Sequence, residues 1–396
     1  MRILLLTAGS RGDVEPFAAL ARRAANAGHV VRLAAPDNHG ARTDGIDVVS
    51  LGVDFSAVIQ SQGVSVSAAL RNYRAVVQPA MRRVIVGAAQ RAREFGPDVI
   101  VWHPKVLSAP LVADALGVPH VLVETVPAVT PTREFPAAGT VARDLGPLNR
   151  LTYLAAAGAA AAFRRELDEA ATVMGTPRPS RASRPSATLL PISPAVFPRP
   201  RDWPDDVHLT GPWRSADTAE VLPPTISEFI AAGPFIYAGF GSMASGDPLA
   251  RGRALITGAR RRGLRVLVAT GLGGIAVPAD LAGPDVLSVP NVAHDAVLPR
   301  AVAAVHHGGA GTVHAALGVG AVSIIVPFIA DQPFWGALLA RTGLGPSPIP
   351  RRQLTPDRIA RALDSVPMFR PAVAAVSDRM RAEDGTGTAV RVIESL

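Results

Sequence analysis

The chain has 396 residues, more than one hydrophobic core usually holds, so its length predicts two domains. Hydrophobic residues make up 48% and charged residues 18%, as in globular chains, and the lack of cysteine excludes disulfides and thiolate metal sites and predicts a reducing, cytoplasmic compartment. The formal charge of +8 comes from scattered arginines, with Lys105 as the sole lysine, which argues against a nucleic-acid partner.

Short apolar runs alternate with helical patterns in the first third of the chain. The runs RILLLTA, VVRLAAP, PDVIVWH and PHVLVET predict strands, and PFAALARRAANAG has the spacing of a helix. This alternation predicts a parallel sheet with helices on both faces. The first apolar run is too short for a signal-peptide core, so we interpret it as the first strand.

A proline-rich stretch, residues 177–224, is interpreted as a connection between domains. A second alternating series follows, with strands predicted at PFIYAGFGS, RVLVATG, DVLSVPN, AAVHHGG and AVSIIVPF. The fold class predicted is therefore α/β, with two Rossmann-like, doubly wound parallel-sheet domains over residues 1–212 and 213–376. Residues 377–396 are predicted to form a C-terminal helix that packs across the cleft. No stable membrane insertion is predicted, because histidines, glycines and a proline interrupt the uncharged segment 301–330.

The stretch VHHGGAGTVHAAL, residues 305–317, lies where a strand is predicted to turn into a helix. Such a turn exposes backbone N–H groups and the positive end of the helix dipole, an arrangement that suits a phosphate; a tight turn that merely needs glycine is the alternative. The chain lacks a P-loop and a G-x-G-x-x-G fingerprint. His306, His307 and His314 have no zinc-site spacing, and no Asp-x-Asp is present to hold a metal diphosphate, so no metal or cofactor is predicted.

Two long segments resemble a known family. AVHHGGAGTVHAAL and the following GAVSIIVPFIADQPFWGALLARTGLG are similar to the donor-binding segment of family-1 glycosyltransferases of GT-B architecture. SRGDVEPFAALARRAANAGHVVRLAAP resembles the N-terminus of their bacterial natural-product and sterol glucosyltransferase branch, which includes the glycopeptide-antibiotic enzymes. Further similarity at TVPAVTPTREFP, LNRLTYLAA and GFGSM extends the resemblance along nearly the whole chain.

The resemblance implies a nucleotide-sugar donor site in the second domain. Asn291 and Ala315 stand where plant relatives carry a tryptophan and a ribose-binding glutamate, so both UDP-sugars and dTDP-sugars remain possible donors. A helix-capping role is the alternative for the serine of the first turn and for the Asp-Gln pair. The implied contacts are Gly241, Ser242, His307, Gly308, Gly309, Ala310, Gly311 and Thr312 for the diphosphate, Asp331 and Gln332 for the sugar, and the backbone of Val292 for the base.

Sugar transfer to a hydroxyl needs a base that removes the hydroxyl proton. The resemblance assigns this role to Asp13 in GSRGDVEP, with Ser10 as a weaker contributor. Capping of the first helix by Asp13 or Glu15, ahead of Pro16, is the alternative, and Glu15 is the second candidate base. An ordinary aspartate is a weak base, so the acceptor would have to raise its pKa by burial or the proton would have to move late.

The acceptor site is expected along residues 54–82, 102–108 and 124–150, which are mostly apolar or small and suit a hydrophobic aglycone. Trp102 and His103 are candidate contacts, although a buried strand end fits them equally well. The predicted function is an inverting, metal-independent O-glycosyltransferase that uses a UDP- or dTDP-sugar. A nucleotide-sugar epimerase of the same architecture and a non-catalytic sugar-nucleotide-binding protein remain alternatives.

Overall fold

Two parallel β-sheets organise the chain, and each forms the centre of a separate unit. The computed structural model describes residues 1–55, 57, 72–141, 143–178, 182–214, 222–241, 243 and 245–396. The first unit contains the described residues up to Arg214 and those from Glu383 onward, and the second contains Leu222 to Ala382. The predicted α/β fold class is confirmed.

The first unit is built on a seven-stranded sheet in which every neighbouring pair runs parallel. Its spatial order is β3-β2-β1-β4-β5-β6-β7, so the order reverses between β1 and β4. The strands are β1 Arg2–Leu6, β2 Val30–Ala35, β3 Asp47–Ser50, β4 Val99–Trp102, β5 His120–Val123, β6 Ala187–Leu190 and β7 Val207–Leu209.

Helices cover both faces of this sheet because the side chains of each strand alternate between two apolar clusters. Leu4 and Leu6 belong to the cluster formed with the helices Gln78–Phe95, Ala109–Leu116 and Arg164–Met174. Ile3 and Leu5 belong to the cluster formed with the helix Arg11–Asn26. The helices are α1 Arg11–Asn26, α2 Gln78–Phe95, α3 Ala109–Leu116, α4 Asn149–Thr152, α5 Leu154–Ala162 and α6 Arg164–Met174, with a π-helical turn at Tyr73–Val77 and a 3₁₀ turn at Gly146–Leu148.

The second unit repeats the plan with five parallel strands in the order β10-β9-β8-β11-β12. These strands are β8 Phe235–Gly239, β9 Arg265–Ala269, β10 Val286–Val289, β11 Ala304–His306 and β12 Ser323–Ile325, and all five predictions are confirmed. The helices are α7 Pro224–Ala231, α8 Pro248–Arg260, α9 His294–Val297, α10 Ala310–Gly318, α11 Gln332–Arg341 and α12 Pro356–Arg381, with 3₁₀ turns at Ala279–Leu281, Leu298–Arg300 and Arg351–Gln353.

The proline-rich stretch 177–224 is not simply a connection, and that prediction was wrong in part. Both β6 and β7 lie within it as strands of the first sheet. They are only four and three residues long and are flanked by prolines, which hid them from the pattern. Residues 191–206 therefore connect two short strands of one unit.

The C-terminal segment 377–396 is divided, whereas one helix was predicted. Its first residues end α12, and a separate helix, α13 (Gly385–Glu394), follows. Ala389, Val390 and Ile393 of α13 join the apolar cluster around α1 in the first unit. The predicted position of this helix across the cleft stays a prediction. Among the described helices, none is long and apolar enough to cross a membrane.

Candidate active site

Each sheet has one point where its strand order reverses, and ligands of open α/β sheets bind beyond the carboxyl ends of the strands at such points. In the first unit this point lies between β1 and β4, and in the second between β8 and β11. The turns that follow these four strands contain most of the predicted site residues.

Asp13 lies in the first turn of α1, directly after β1. The Ser10 N–H donates to Asp13 Oδ2 at 2.9 Å, and the Ser10 hydroxyl lies 3.5 Å from the same oxygen. Gly9 has φ +135°, and a Cβ atom there would come within 2.0 Å of Asp13 Oδ2, so only glycine leaves room for this carboxylate. The helix-capping role considered for Asp13 is present in the structure, and it uses only one of the two carboxylate oxygens.

The other oxygen of Asp13 faces the turn after β4. Lys105 Nζ lies 2.8 Å from Asp13 Oδ1, and His103 Nε2 lies 3.4 Å from the same atom. Burial of the carboxyl raises its pKa, but the Lys105 cation, His103 and the Ser10 N–H together hold the pKa of Asp13 below its ordinary value. Asp13 is therefore ionised at neutral pH, with a basicity lower than that of a free aspartate.

His103 is a buried, neutral partner of this carboxylate. Burial and the nearby Lys105 cation outweigh the attraction of Asp13 and lower the pKa of His103 to about 4. Its Nδ1 accepts the backbone N–H of Lys105 at 3.2 Å, so the neutral ring carries its hydrogen on Nε2, which lies 3.4 Å from Asp13 Oδ1 and 3.5 Å from Thr125 Oγ1. The predicted acceptor contact His103 thus lies beside the candidate base.

Trp102 lies in the core of the first unit. Its side chain belongs to the apolar cluster around α2, and its indole N–H donates to His120 Nδ1 at 3.0 Å. His120 Nε2 therefore carries the ring hydrogen and donates to Ser183 Oγ at 2.9 Å, which excludes His120 as a base for that serine. Of the two readings considered for Trp102, this geometry matches the buried strand end, and acceptor contact stays a prediction.

Glu124, which the sequence pattern did not single out, organises the loop after β5. Its fully buried carboxylate accepts the N–H groups of Ala128, Val129 and Thr130 at 2.8 to 3.1 Å, and the Thr130 hydroxyl. Burial raises its pKa against these hydrogen bonds. The sequence signal that could have identified Glu124 is a carboxylate directly after an apolar strand. Much of the expected acceptor segment 54–82, namely residues 56 and 58–71, lies outside the described residues.

The turn after β11 brings His307 and the glycines together in the second unit. Gly308 has φ +90°, and its N–H donates to Nδ1 of the fully buried His306 at 3.1 Å. His307 Nε2 lies close to Gly309, since a Cβ atom there would approach it to 2.7 Å, and His307 Cε1 would lie 3.6 Å from a Cβ atom at Gly241. The turns after β8 and β11 therefore meet at this histidine.

Both histidines of this turn are neutral. Burial lowers the pKa of His307 to about 4, with a further lowering from His294, and the pKa of His306 lies well below its ordinary value for the same first reason. Within the described part of the chain, His306 Nε2 and His307 Nδ1 are buried without a hydrogen-bond partner. Groups of three His, Cys, Asp or Glu side chains suited to a metal ion are absent from the described residues.

Asp331 and Gln332, at the start of α11, are anchored to neighbouring turns. Asp331 Oδ2 accepts the Ala310 N–H at 3.2 Å and the Trp335 indole N–H at 2.9 Å. Gln332 is buried, and its Oε1 accepts the Phe328 N–H at 2.7 Å. Asp331 therefore reaches the first turn of α10, where Gly311 and Thr312 also present N–H groups that have no partner within the helix.

Val292 and Ser242 are two further residues predicted to contact the donor. Val292 is partly buried against the apolar cluster beneath β8 and β9, and Asn291 beside it is exposed. Ser242 lies outside the described residues, although Gly241 before it has φ +56° and turns the chain there. The structure thus brings together Gly241, His307 to Thr312, and Asp331 around one turn.

The chain matches two family models, and it matches relatives along nearly its whole length. The models are described as "Glycosyltransferase family 28 N-terminal domain", over residues 3–125, and "Erythromycin biosynthesis protein CIII-like, C-terminal domain", over residues 277–390. O-mycaminosyltylonolide 6-deoxyallosyltransferase of Streptomyces fradiae is 32% identical over 429 residues, covering 100% of this chain and 97% of that protein. A sterol 3-beta-glucosyltransferase of Arabidopsis thaliana is 30% identical over 426 residues, covering 98% of this chain and 67% of the relative.

A solved structure supports the same architecture. The glycosyltransferase VinC in complex with dTDP has a TM-score of 0.65 and 24% identity, and the match covers 100% of both chains. Two parallel-sheet units of this kind define the GT-B class of enzymes. The chain belongs to the family-1 GT-B glycosyltransferases, in the group that includes antibiotic and sterol glycosyltransferases, and it is an enzyme of that family.

Proposed function

We propose that this glycosyltransferase moves a sugar from a UDP- or dTDP-sugar to a hydroxyl of a hydrophobic natural product, with inversion at the anomeric carbon. The observation that carries the proposal is the ionised Asp13 carboxylate at the point where the strand order of the first sheet reverses. The names of the relatives, an O-mycaminosyltylonolide 6-deoxyallosyltransferase and a sterol 3-beta-glucosyltransferase, support a hydrophobic acceptor. The dTDP complex of VinC supports a nucleoside diphosphate donor.

The reaction is a single displacement. The acceptor oxygen forms a bond to the anomeric carbon while Asp13 takes the hydroxyl proton, and the bond from that carbon to the diphosphate breaks. The nucleoside diphosphate leaves with the electron pair. Attack from the face opposite the leaving group inverts the anomeric centre. His307 and the N–H groups at the start of α10 would stabilise the charge that develops on the diphosphate.

Before the donor binds, this histidine is a neutral hydrogen-bonding group rather than a cation. Its pKa of about 4 leaves it uncharged at neutral pH, and the neighbouring Gly309 keeps backbone close to the ring. A neutral donor stabilises a diphosphate less than a cation does, so several N–H groups must share the charge. Activity is proposed to persist in EDTA, because no Asp-x-Asp pair in the chain could hold a metal diphosphate.

The test combines calorimetry with product analysis. Titration with UDP-glucose, dTDP-glucose and their 6-deoxy analogues should give binding for at least one donor, and His307→Ala should weaken that binding while the melting temperature stays near wild type. A library of hydroxylated aglycones, screened by mass spectrometry, should yield a glycosylated product whose anomeric configuration, read by NMR, is opposite to that of the donor. Absence of binding to every donor would falsify the proposal.

The remaining outcomes separate the alternatives. An isomerised nucleotide sugar formed without acceptor would identify an epimerase. A product with retained configuration would still identify a glycosyltransferase, but it would contradict the single-displacement mechanism. Strong inhibition by EDTA that Mg²⁺ reverses would show that the diphosphate needs a metal ion.

A further inference from the structure

The Asp13 carboxylate is surrounded by hydrogen-bond donors. Four donor groups lie within 3.5 Å of this carboxylate, and those of Ser10 and Lys105 form hydrogen bonds with it. The two groups of Ser10 face Oδ2, whereas Lys105 Nζ, at 2.8 Å, and His103 Nε2, at 3.4 Å, face Oδ1. Among the described residues, Lys105 is the hydrogen-bond donor to Oδ1. Lys105 must therefore leave before an acceptor hydroxyl can take its place on Oδ1.

Of the two groups that face Oδ1, only Lys105 is free to move. The His103 side chain is only 6% exposed and packs edge-on against Phe17, and on the other oxygen the Ser10 N–H is fixed by the backbone at the start of α1. The Lys105 side chain is 46% exposed and has a flexible four-carbon stem. Across the described residues its ammonium makes no second ion pair. Lys105 can therefore move into solvent without breaking another ion pair of the described residues.

We propose that Lys105 is a positioning residue that clamps Asp13 in the resting enzyme and leaves Oδ1 when the acceptor hydroxyl arrives. This inference rests on the proposed function, because it assigns Lys105 a part in the proton transfer to Asp13. Its departure opens a lone pair on Oδ1 and removes a positive charge from the carboxylate. The proton of the acceptor hydroxyl then goes to Oδ1 as the new C–O bond forms.

The charge balance around Asp13 makes Lys105 the dominant cation. From the turn after β4, Lys105 and His103 face the carboxylate, and His103 is neutral. On α1 itself, Arg11 is 2.9 Å from Glu15 and is paired with it, and Glu15 acts on His39. The Lys105 cation lowers the pKa of both Asp13 and His103. Loss of that cation therefore makes Asp13 a stronger base.

The clamp can be observed without turnover because the chain has a single lysine. Reductive methylation with ¹³C-formaldehyde labels Lys105 and the terminal amine, and it keeps the lysine charge. In wild type, the dimethyl-lysine NMR signal should shift at acidic pH as Asp13 is protonated, and this shift should disappear in Asp13→Asn. Equal pH dependence in the two proteins overturns the clamp.

Kinetics test what the clamp does. Lys105→Met removes the charge at similar size, and Lys105→Arg keeps the charge as the matched control. With the best donor and aglycone from the screen, the acid limb of the kcat/KM profile should move to higher pH in Lys105→Met, and its single-turnover rate above that limb should rise several-fold. Lys105→Arg should keep the wild-type acid limb. If the pH profile of kcat/KM in Lys105→Met matches that of wild type, the role of Lys105 in proton transfer is overturned, even when the NMR signal reports the ion pair.

Failure of the proposed function would look different. If wild type transfers no sugar from any donor, the catalytic role of Lys105 falls with that proposal, whereas the NMR comparison still reports whether the ion pair exists. If transfer occurs and Asp13→Asn retains full activity, the base is another group and the clamp has no catalytic meaning. Only an active wild type with a slow Asp13→Asn and a shifted Lys105→Met supports the inference.

Discussion

Two turns of the same type, one in each unit, hold charge in different ways. After β1, α1 is capped by its own carboxylate, and Asp13 receives donors from its helix and from the turn after β4. After β11, α10 is capped from outside, by Asp331 at the start of α11, which accepts one N–H, that of Ala310. The first turn thus fixes a negative charge of its own, while the second leaves further N–H groups at the helix start.

The histidines follow the same division. His103 carries its ring hydrogen on Nε2, 3.4 Å from Asp13 Oδ1, so it lies beside a charge that the protein already contains. His306 is buried, His307 is partly buried, and both are neutral, with one buried ring nitrogen each left without a partner in the described ranges. Unpaired buried polar atoms are costly, and they are expected where a ligand completes them. The first turn suits proton transfer, and the second suits an anion.

The largest effect is expected at the charge of the first turn. Asp13→Asn keeps the size of the side chain and an oxygen for the Ser10 N–H but cannot take a proton, so single-turnover transfer should slow by roughly 100-fold or more. The melting temperature should stay close to wild type because asparagine also caps helices. Glu15→Gln, which removes the charge that pairs with Arg11, is the matched control and should keep its rate. A fast Asp13→Asn would move the role of base to another group.

The next effect concerns the backbone of the second turn. Gly308→Ala combines φ +90° with a Cβ atom 2.6 Å from Ile325 Cγ2, so it should cost about 1–3 kcal/mol for the backbone alone and weaken donor binding. Gly28→Ala is the matched control, with φ +91° and no atom within 4 Å of the added Cβ. Denaturant unfolding should show a loss in both, and calorimetry should show weaker donor binding in Gly308→Ala only. Equal donor affinity in the two variants would make Gly308 purely structural.

The neutral histidines of the second turn predict acid instability. His307 has a pKa of about 4 in the folded chain against an ordinary value of 6.5, so the unfolded chain binds the extra proton between these values. Stability should therefore be complete above pH 6.5 and fall as the pH decreases toward 4, by on the order of 1 kcal/mol after discounting for partial exposure. Amide hydrogen exchange of peptides spanning residues 304–318 should report the loss. His307→Gln should flatten the pH dependence, and an unchanged slope would assign the acid sensitivity to other groups.

A structural feature can be predicted from this sequence when it depends on residues that are close together in the chain, and not when it depends on residues far apart. The five strands of the second unit follow from local apolar runs, and Asp13 follows from a local motif. The short strands β6 and β7 were missed because prolines lie on both sides of apolar runs that are only four and three residues long. The contact of Asp13 with His103 and Lys105 joins residues about 90 positions apart, and it exists because β4 pairs with β1. Strand order, which no local pattern encodes, creates that contact.

The smallest effect compares two buried tryptophans, each of which donates its indole N–H. Trp335 donates to Asp331 Oδ2 beside the second turn, whereas Trp102 donates to His120 in the core and not to Asp13. Replacement by phenylalanine removes one hydrogen bond in each case, worth about 1 kcal/mol, and should destabilise both variants similarly. Only Trp335→Phe also loosens Asp331, so its donor dissociation constant should rise by roughly fivefold, the equivalent of about 1 kcal/mol. Trp102→Phe should leave both the donor affinity and the acceptor KM near wild type. A raised acceptor KM in Trp102→Phe would instead place that ring at the acceptor, and the first turn would then recognise substrate as well as remove its proton.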